Sequence, residues 1–311
     1  MKSMLVFSGI DFMGKKRIAF VLSVVLLVVS FGSLFTKGLN FGIDFTGGVL
    51  IEVRYQNVAD LPQIRRGLRS AGFGSAQLQN FGTPRDVLIR LLPQEGAASS
   101  DAVGEQILEV LSTQDPAVNL RRVEFVGPQV GEELREQGGL AMLFALLFIM
   151  AYVSFRFQWK FSIGAVAALA HDVIITVGFF SLFDRPFDLA VLAAVLAVIG
   201  YSLNDTIVVF DRIRENFLRI RKSHAMEVMN VSINQTLSRT LITSMTTLLV
   251  LLALFFLGGE AIHAFATALI VGVVVGTYSS IYVASSIALT LEVSTQDLLP
   301  PVVDKELDEL P

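Results

Sequence analysis

FDLAVLAAVLAVIGYSLNDTIVVF, residues 187–210, is an apolar run long enough to cross a lipid bilayer as a helix. A transmembrane helix needs about 20 mostly apolar residues. Five further stretches of the 311-residue sequence meet this requirement: 17–37, 138–155, 161–183, 239–258 and 262–290. Hydrophobic residues make up 53% of the chain and charged residues 17%, a balance outside that of soluble domains. The sequence therefore predicts a multi-spanning α-helical membrane protein with six transmembrane helices.

Basic residues concentrate on one side of these six runs. Loops that stay in the cytoplasm carry more lysine and arginine than loops that are exported. The residues concerned precede the first run or follow the second and the fourth: Lys15, Lys16, Arg17, Arg156, Lys160, Arg212, Arg214, Arg219, Arg221 and Lys222. The first run is longer than the apolar core of a signal peptide and lacks an A-x-A-like site after it, so we expect it to stay as an anchor. We expect both termini in the cytoplasm.

A polar stretch, residues 38–137, separates the first run from the second and is long enough for one small domain on the outer side of the membrane. Its hydrophobic periodicity predicts strands at 49–55, 76–81, 86–92 and 119–126 and helices at 60–71 and 101–113. The order β-α-β-β-α-β is that of an α+β ferredoxin-like domain. We expect four regions along the chain: 1–37 with the first helix, 38–137 as this domain, 138–290 with the other five helices, and 291–311 as an acidic cytoplasmic tail.

The sequence lacks the motifs that are characteristic of several classes of function. Gly9 to Lys16 (GIDFMGKK) approaches a P-loop, but the Ser or Thr after the lysine is missing and no strand precedes it. The chain has no cysteine, and no zinc, Ser-His-Asp or kinase signature is present. A net charge of −4 argues against a nucleic-acid partner. We expect no enzyme activity, no cofactor and no metal site.

Asp205 is the main candidate for chemistry, because it lies inside the fourth apolar run. A charge at the centre of a bilayer costs about 3 to more than 10 kcal/mol, so an intramembrane acid suggests a functional site. Asn204 and Thr206 adjoin it. Two structural explanations stay open: the carboxylate lies close enough to the surface to be hydrated, or it is held neutral by a packing hydrogen bond.

Arg239 stands at the start of the fifth run, on the same side of the membrane as the end of the fourth. Thr243, Thr246 and Thr247 continue its face at helical spacing and form a polar stripe. On two antiparallel helices Asp205 and Arg239 would lie at the same depth in the membrane, so we expect that they are able to form an ion pair. The alternative is an arginine that extends to the interface.

The third run carries His171 and Asp172 near its middle, with Thr176 one turn further on. A histidine at this position fits a proton relay, and a hydrogen-bonded core histidine fits equally well.

Small residues recur every fourth position in the last run: Gly272, Gly276, Ser280 and Ala284. They share one helix face and allow the backbone of another helix to approach closely. This pattern predicts helix packing.

Three stretches of the chain resemble the SecD/SecF family of protein-export membrane proteins. FGIDFTGG (Phe41 to Gly48) resembles the family motif that follows the first span, with Asp44, Gly47 and Gly48 as its characteristic residues. VGPQVG (Val126 to Gly131) resembles the lead into the second span, and IGYSLNDTIVVFDRIREN (Ile199 to Asn216) is the longest match. The resemblance covers essentially the whole chain and implies a bundle like that of RND-type transporters.

The resemblance also implies a function. The chain would be the smaller of the family's two proteins, because its external domain is of modest size. It would lie in the bacterial inner membrane with SecD and the SecYEG translocon, with YajC and YidC as further candidate partners, and would use the proton motive force to help export unfolded preproteins. Asp205 would carry the proton and Arg239 would be its partner, with His171, Asp172, Asn204, Thr243 and Thr247 as relay or polar lining.

Two other functions stay open at this stage. A structural subunit would use its buried charges for assembly of the translocon. Half of an RND-like small-molecule exporter would need a large ligand cleft in the external domain.

Overall fold

Helices make up most of the part of the chain that the structure describes, residues 9–92, 100–220 and 223–293 of a computed structural model. A short 3-10 turn at Met13–Lys15 precedes the first helix. In chain order the elements are α1 (Lys16–Thr36), β1 (Asn40–Phe41), α2 (Ile43–Thr46), β2 (Gly48–Arg54), α3 (Leu61–Ser70), β3 (Gln77–Phe81), β4 (Thr83–Leu91), α4 (Ser100–Gln114), β5 (Asn119–Val126), α5 (Pro128–Arg156), α6 (Trp159–Leu182), β6 (Pro186–Phe187), α7 (Leu189–Arg219), α8 (Ala225–Leu257), α9 (Glu260–Ser279) and α10 (Ser285–Thr290).

Six helices among the described residues are long and apolar enough to cross a membrane, as predicted. They are α1, α5, α6, α7, α8 and the last helix, in which α9 and α10 are joined by a π-helical segment at Ser280–Ala284. We call these the first to sixth spans.

The prediction was wrong about where the fourth and fifth spans end and begin. Helix α7 continues to Arg219, so the basic residues placed in a loop after it, Arg212, Arg214 and Arg219, are helical. Helix α8 begins at Ala225 and not at Arg239. Polar residues continue both helices beyond the apolar runs because the two helices pack on each other there: the Asn216 side-chain amide donates to Ser232 Oγ at 2.8 Å and to Gln235 Oε1 at 2.9 Å. Arg221, Lys222 and the acidic tail beyond Val293 lie outside the described residues.

The segment between the first and second spans folds as an α+β domain with the predicted element order. Its sheet has the strand order β3-β4-β2-β5, and every pairing is antiparallel. Strand β2 therefore lies between β4 and β5, the two strands that α4 connects, which is the split βαβ arrangement of ferredoxin-like domains. Helices α3 and α4 cover one face and share with it a core that includes Ile51, Leu68, Ile89, Ile107 and Leu111, all fully buried.

A small junction that the periodicity did not indicate joins this domain to the bundle. Strand β1 pairs in parallel with β6, the short strand before the fourth span. Helix α2 follows β1, and the chain then enters the sheet at Gly48, whose φ of +121° is a conformation that L side chains rarely adopt. A Cβ atom on Gly48 would lie 2.2 Å from the Leu91 carbonyl oxygen, and one on Gly131 of α5 would lie 2.6 Å from the Gly47 nitrogen. The three glycines allow the sheet, α2 and α5 to meet at backbone contact.

Candidate functional site

Three buried ionisable side chains lie inside the described spans: His171 and Asp172 on α6, and Asp205 on α7. Their exposed fractions are 4%, 1% and 3%. Helix α7 directs Asp205 inwards because the residues one turn apart along this face are all buried: Val191, Val195, Val198, Ser202, Asp205 and Val209. These carboxylates therefore lie in a polar core between the helices and not at the lipid surface.

Asp205 meets a hydroxyl pair from the two neighbouring spans. The Ser244 hydroxyl of α8 lies 3.5 Å from Asp205 Oδ2 as a donor, and it shares a 2.7 Å hydrogen bond with Thr277 of α9. The Thr277 hydroxyl also lies 2.7 Å from the Val273 carbonyl oxygen of its own helix. Its single hydrogen is donated to Ser244 when Ser244 donates to Asp205, and it can be donated to Val273 when Ser244 donates to Thr277. Asp205 is thus connected through hydroxyl groups to both the fifth and the sixth spans.

Arg239 does not pair with Asp205 in this structure. Among the described residues, none of the ion pairs joins the two, and the arginine side chain is exposed. The packing of α8 explains why this structure shows no ion pair between them. The face of α8 that packs inwards carries Ser232, Thr236, Thr240 and Ser244, all buried, and Arg239 lies on a different face of the helix.

The other polar residues predicted near this pair also lie elsewhere. Asn204 is exposed and does not face the polar core. Thr243 and Thr247 are half-buried and donate to carbonyl oxygens of α8 itself, Thr243 to Arg239 and Thr247 to Thr243. Thr246 is exposed and likewise bonds within its helix. The threonine stripe therefore satisfies its hydroxyls locally.

Asp172 has the most complete set of hydrogen bonds in the polar core. Its Oδ2 atom accepts from Ser202 of α7 and from Ser279 of α9, each at 2.6 Å. Its Oδ1 atom lies 2.9 Å from His171 Nδ1. The Thr176 hydroxyl donates to the Asp172 carbonyl oxygen at 2.8 Å. The third, fourth and sixth spans thus converge on one carboxylate.

This polar core is completed by Ser202, Ser244, Thr277 and Ser279, which were not among the residues predicted from the sequence. Each is a small hydroxyl residue inside an apolar run, which by itself fits ordinary helix packing. A signal was present in α8, where buried Ser and Thr residues recur at every fourth position from Ser232 to Ser244. Among the described residues, no group of three or more His, Cys, Asp or Glu side chains is placed to hold a metal ion.

The small-residue ladder of the sixth span packs inside the chain. A Cβ atom on Gly272 would lie 2.1 Å from Val198 Cγ2, and one on Gly276 would lie 3.0 Å from Ser202 Cβ. Both glycines therefore hold α9 against α7. Ser280 and Ala284 belong to the π-helical segment and are fully buried. A Cβ atom on Gly164 of α6 would lie 2.9 Å from the Ala284 carbonyl oxygen, so this segment also approaches α6 closely.

Asp44 connects the junction with the helix that carries Asp205. Its Oδ2 atom accepts a hydrogen bond from the backbone N–H of Leu189, the first residue of α7, at 3.0 Å. Asp188 caps the same helix end and accepts from the Val191 N–H at 2.8 Å. Burial raises the pKa of Asp188, and the nearby Asp44 carboxylate adds to the rise. Both acids lie at the positive end of the α7 dipole, where carboxylates are stabilising.

Buried ionisable groups inside membrane spans are typical of ion and substrate pathways, so the fold and the polar core together define a polytopic membrane protein of the transport class. The comparisons with known proteins are more specific. The family model for the C-terminal region of the protein export membrane proteins SecD and SecF matches residues 106–294, and that for the SecD/SecF GG motif matches residues 32–57. The chain belongs to the SecD/SecF family of protein-export membrane proteins, on the SecF side.

Its similar relatives align along nearly their full length. The protein translocase subunit SecF of Vibrio alginolyticus is 54% identical over 306 residues, which cover 97% of this chain and 97% of that protein. SecF of Escherichia coli O157:H7 is 47% identical over 299 residues, which cover 95% of this chain and 92% of that protein.

A solved structure shares the fold. The crystal structure of the translocon-associated membrane protein SecDF from Thermus thermophilus superposes with a TM-score of 0.85 at 41% identity. The match covers 93% of this chain but 39% of the SecDF chain. This chain therefore corresponds to about two fifths of that longer protein.

Proposed function

We propose that this chain is the SecF subunit of a complex with SecD that couples proton flow across the bacterial inner membrane to late steps of preprotein export through SecYEG. The observation that carries the proposal is the burial of Asp205, which places a carboxylate 3% exposed between three spans of a chain that belongs to this family. A carboxylate in that position changes the charge of the bundle interior each time it gains or loses a proton.

The available energy suits such a switch. One charge crossing about 100 mV is worth about 2.3 kcal/mol, and each unit of pH difference adds about 1.4 kcal/mol. Conformational equilibria of proteins are balanced within a few kcal/mol. Proton uptake at Asp205 can therefore shift the arrangement of α8 and α9 around α7, because Ser244 and Thr277 contact the carboxylate directly and through one another.

Arg239 enters the proposal as the partner of Asp205 in a second conformation. The side chain is exposed, while the Ser244 side chain of the same helix faces the acid. A rotation of α8 about its axis would exchange the two, because residues five apart on a helix differ in direction by more than a right angle. Contact with Arg239 would be favoured when Asp205 is ionised, and contact with Ser244 would be favoured when Asp205 is protonated.

The proposal includes the orientation that the basic residues predict. Both termini lie in the cytoplasm and the domain over 38–137 lies in the periplasm, where it would meet the unfolded preprotein. The proposal keeps the other three predicted regions as well: 1–37 with the first span, 138–290 with the other five spans, and 291–311 as a cytoplasmic tail. YajC and YidC are proposed as further neighbours of the SecD complex.

The two alternatives differ from this proposal at specific features. A purely structural subunit would use the ladder at Gly272 and Gly276 for complex formation, but both glycines pack on α7 of the same chain. A small-molecule exporter needs a ligand cleft. The α+β domain has a groove of about 810 Å³, which is open and lined mostly by polar residues such as Arg54, Gln56 and Asn119.

The test is export in inverted membrane vesicles that contain SecD, with and without a proton gradient. Asp205→Asn should abolish the dependence of export on the gradient while the complex with SecD stays intact. Asp211→Asn is the matched control, because it makes the same change on the same helix at an exposed carboxylate that pairs with Arg156. Unchanged gradient dependence in Asp205→Asn would favour the structural subunit.

A further inference from the structure

His171 and Asp172 adjoin each other on α6 and are buried where the third, fourth and sixth spans meet. We infer that this pair is a second proton-binding site of the bundle, which takes up and releases a proton at the Nε2 atom of His171. The inference deepens the proposed proton coupling, and it places a second site on a different helix from Asp205.

The hydrogen bonds fix which histidine nitrogen is available. An ionised carboxylate only accepts hydrogen bonds, so Nδ1 of His171 carries the hydrogen that points to Asp172 Oδ1 at 2.9 Å. Two further hydroxyls, from Ser202 and Ser279, donate to Oδ2 at 2.6 Å each. Nε2 is then the unprotonated nitrogen. It is buried and has no hydrogen-bond partner among the described residues.

The charge balance gives the buried pair a reason to bind a proton. With a neutral imidazole, the pair carries one negative charge inside the bundle, and none of the ion pairs among the described residues brings an arginine or lysine to it. A proton on Nε2 converts the pair into an imidazolium and a carboxylate with no net charge. All three hydrogen bonds to Asp172 remain in place. Because a buried net charge is costly and a hydrogen-bonded ion pair is less so, proton uptake is favourable without any rearrangement.

The other titratable groups around the pair come from the helices packed on α6. Tyr278 of α9 places its ring centroid 6.1 Å from that of His171, and its hydroxyl donates to the Ala19 carbonyl oxygen of α1 at 2.6 Å. Tyr282 of the π-helical segment stands next to Tyr278. On α7, Asp205 lies one turn beyond Ser202. The charged residues of α1 and α5 lie towards the ends of those helices, Lys16 and Arg17 on α1 and Glu132, Glu133, Arg135, Glu136 and Arg156 on α5.

The pair is placed to act on the sixth span. Ser279 is the last residue of α9, and the π-helical segment begins at the next residue. Single π-helical turns inside α-helices occur frequently at functional sites. Ser202 donates to the same oxygen of Asp172 as Ser279 does, and it lies one turn from Asp205 on α7. A change of charge at His171 therefore alters the electrostatic field at the π-helical segment of the sixth span and on the helix that carries Asp205.

The experiment observes the proton directly. The chain has 3 histidines, so the full-length protein labelled with ¹⁵N-histidine in lipid nanodiscs gives three imidazole spin systems. His224→Gln and His263→Gln assign His171 by elimination and leave the polar core unchanged. We expect Nδ1 of His171 to stay protonated between about pH 5 and pH 9, while Nε2 changes reversibly between its protonated and unprotonated states. An Nε2 that keeps one protonation state over this range overturns the inference.

A second variant tests the role of the carboxylate. Asp172→Asn should move the Nε2 transition to lower pH, because the negative partner that favours the imidazolium is lost. Asp211→Asn, at an exposed position of α7, should leave the transition where it is. Equal transitions in Asp172→Asn and in the unmodified chain would overturn the pairing. Neither readout depends on export, so a failure here leaves the test of Asp205 in vesicles independent.

Discussion

The Ser244 hydroxyl, and not the Arg239 guanidinium, faces the Asp205 carboxylate, at a distance of 3.5 Å from Oδ2. Both residues belong to α8, but on different faces. The fourth span is thus joined to the fifth by a neutral donor, and the cation lies outside the polar core. A hydroxyl can donate to an ionised carboxylate and accept from a protonated one, so Ser244 is compatible with the proton uptake proposed for Asp205.

Ser244→Ala should therefore affect both stability and the response to the proton gradient. The variant removes the hydroxyl that joins Asp205 to Thr277, and the loss of one buried hydrogen bond costs about 1 kcal/mol of unfolding free energy. Denaturant unfolding in detergent measures the first effect and vesicle export at several pH values measures the second. Ser238→Ala is the control, because among the described residues Ser238 has no side-chain hydrogen bond. Ser244→Thr should restore the unmodified behaviour, and equal results for both alanine variants would contradict the assignment.

Gly272→Ala should loosen the contact between the fourth and sixth spans. The new Cβ would lie 2.1 Å from Val198 Cγ2, so either the side chain or the helix must shift, at a cost of about 1–3 kcal/mol. Gly200→Ala on α7 meets no atom within 4 Å and should be neutral or slightly stabilising, since alanine favours the helix by up to about 1 kcal/mol. The unfolding free energies of the two variants in detergent decide the matter. If Gly272→Ala is as stable as Gly200→Ala, the close contact between the fourth and sixth spans is contradicted.

Gly48→Ala should destabilise the point where the sheet meets the bundle. The glycine has a φ of +121°, and a Cβ atom there would lie 2.2 Å from the Leu91 carbonyl oxygen, a backbone atom that cannot turn away. Gly72 also has a positive φ, but no atom lies within 4 Å of the position that a Cβ would take. Gly72→Ala therefore measures the backbone strain without the steric clash. We expect Gly48→Ala to cost about 1–3 kcal/mol more than Gly72→Ala. Hydrogen exchange of the β2 and β4 amides would show the difference as faster exchange in Gly48→Ala.

Asp86 should make the α+β domain sensitive to acid. The hydrogen bonds from Arg54 hold the pKa of this carboxyl below its usual range, with Thr83 as a further donor. An acid with a lowered pKa stabilises the folded state above its ordinary pKa of about 4, and this stability is lost as the pH falls through the folded value. Asp86→Asn should therefore cost about 1–3 kcal/mol at neutral pH and flatten the acid dependence below about pH 4.

The control for this change is Asp60→Asn in the same domain. Asp60 caps α3 by accepting from the Gln63 N–H, and asparagine caps a helix equally well. Thermal unfolding of the full-length chain, followed by the exchange of the domain amides at neutral and acidic pH, measures both variants. A pH dependence that persists unchanged in Asp86→Asn would show that another group carries it.

Three features could be predicted from the sequence: the number of spans, the element order of the α+β domain and the presence of an acid within the fourth span. These features depend on hydrophobic length and on periodicity, which are properties of neighbouring residues. The ends of α7 and α8 could not be predicted in this way, because the polar residues there pack against the other helix, as Asn216 does against Ser232 and Gln235.

Which side chains meet depends on how the helices and the α+β domain pack in three dimensions. Asp44 with Leu189 and Tyr278 with Ala19 are contacts between residues far apart in the sequence, and no local pattern marks them. The same holds for Asp172, which attracts serines from two other spans. The direction of a side chain around a helix axis depends on how the helices pack, and for this reason Ser244 rather than Arg239 lies beside Asp205.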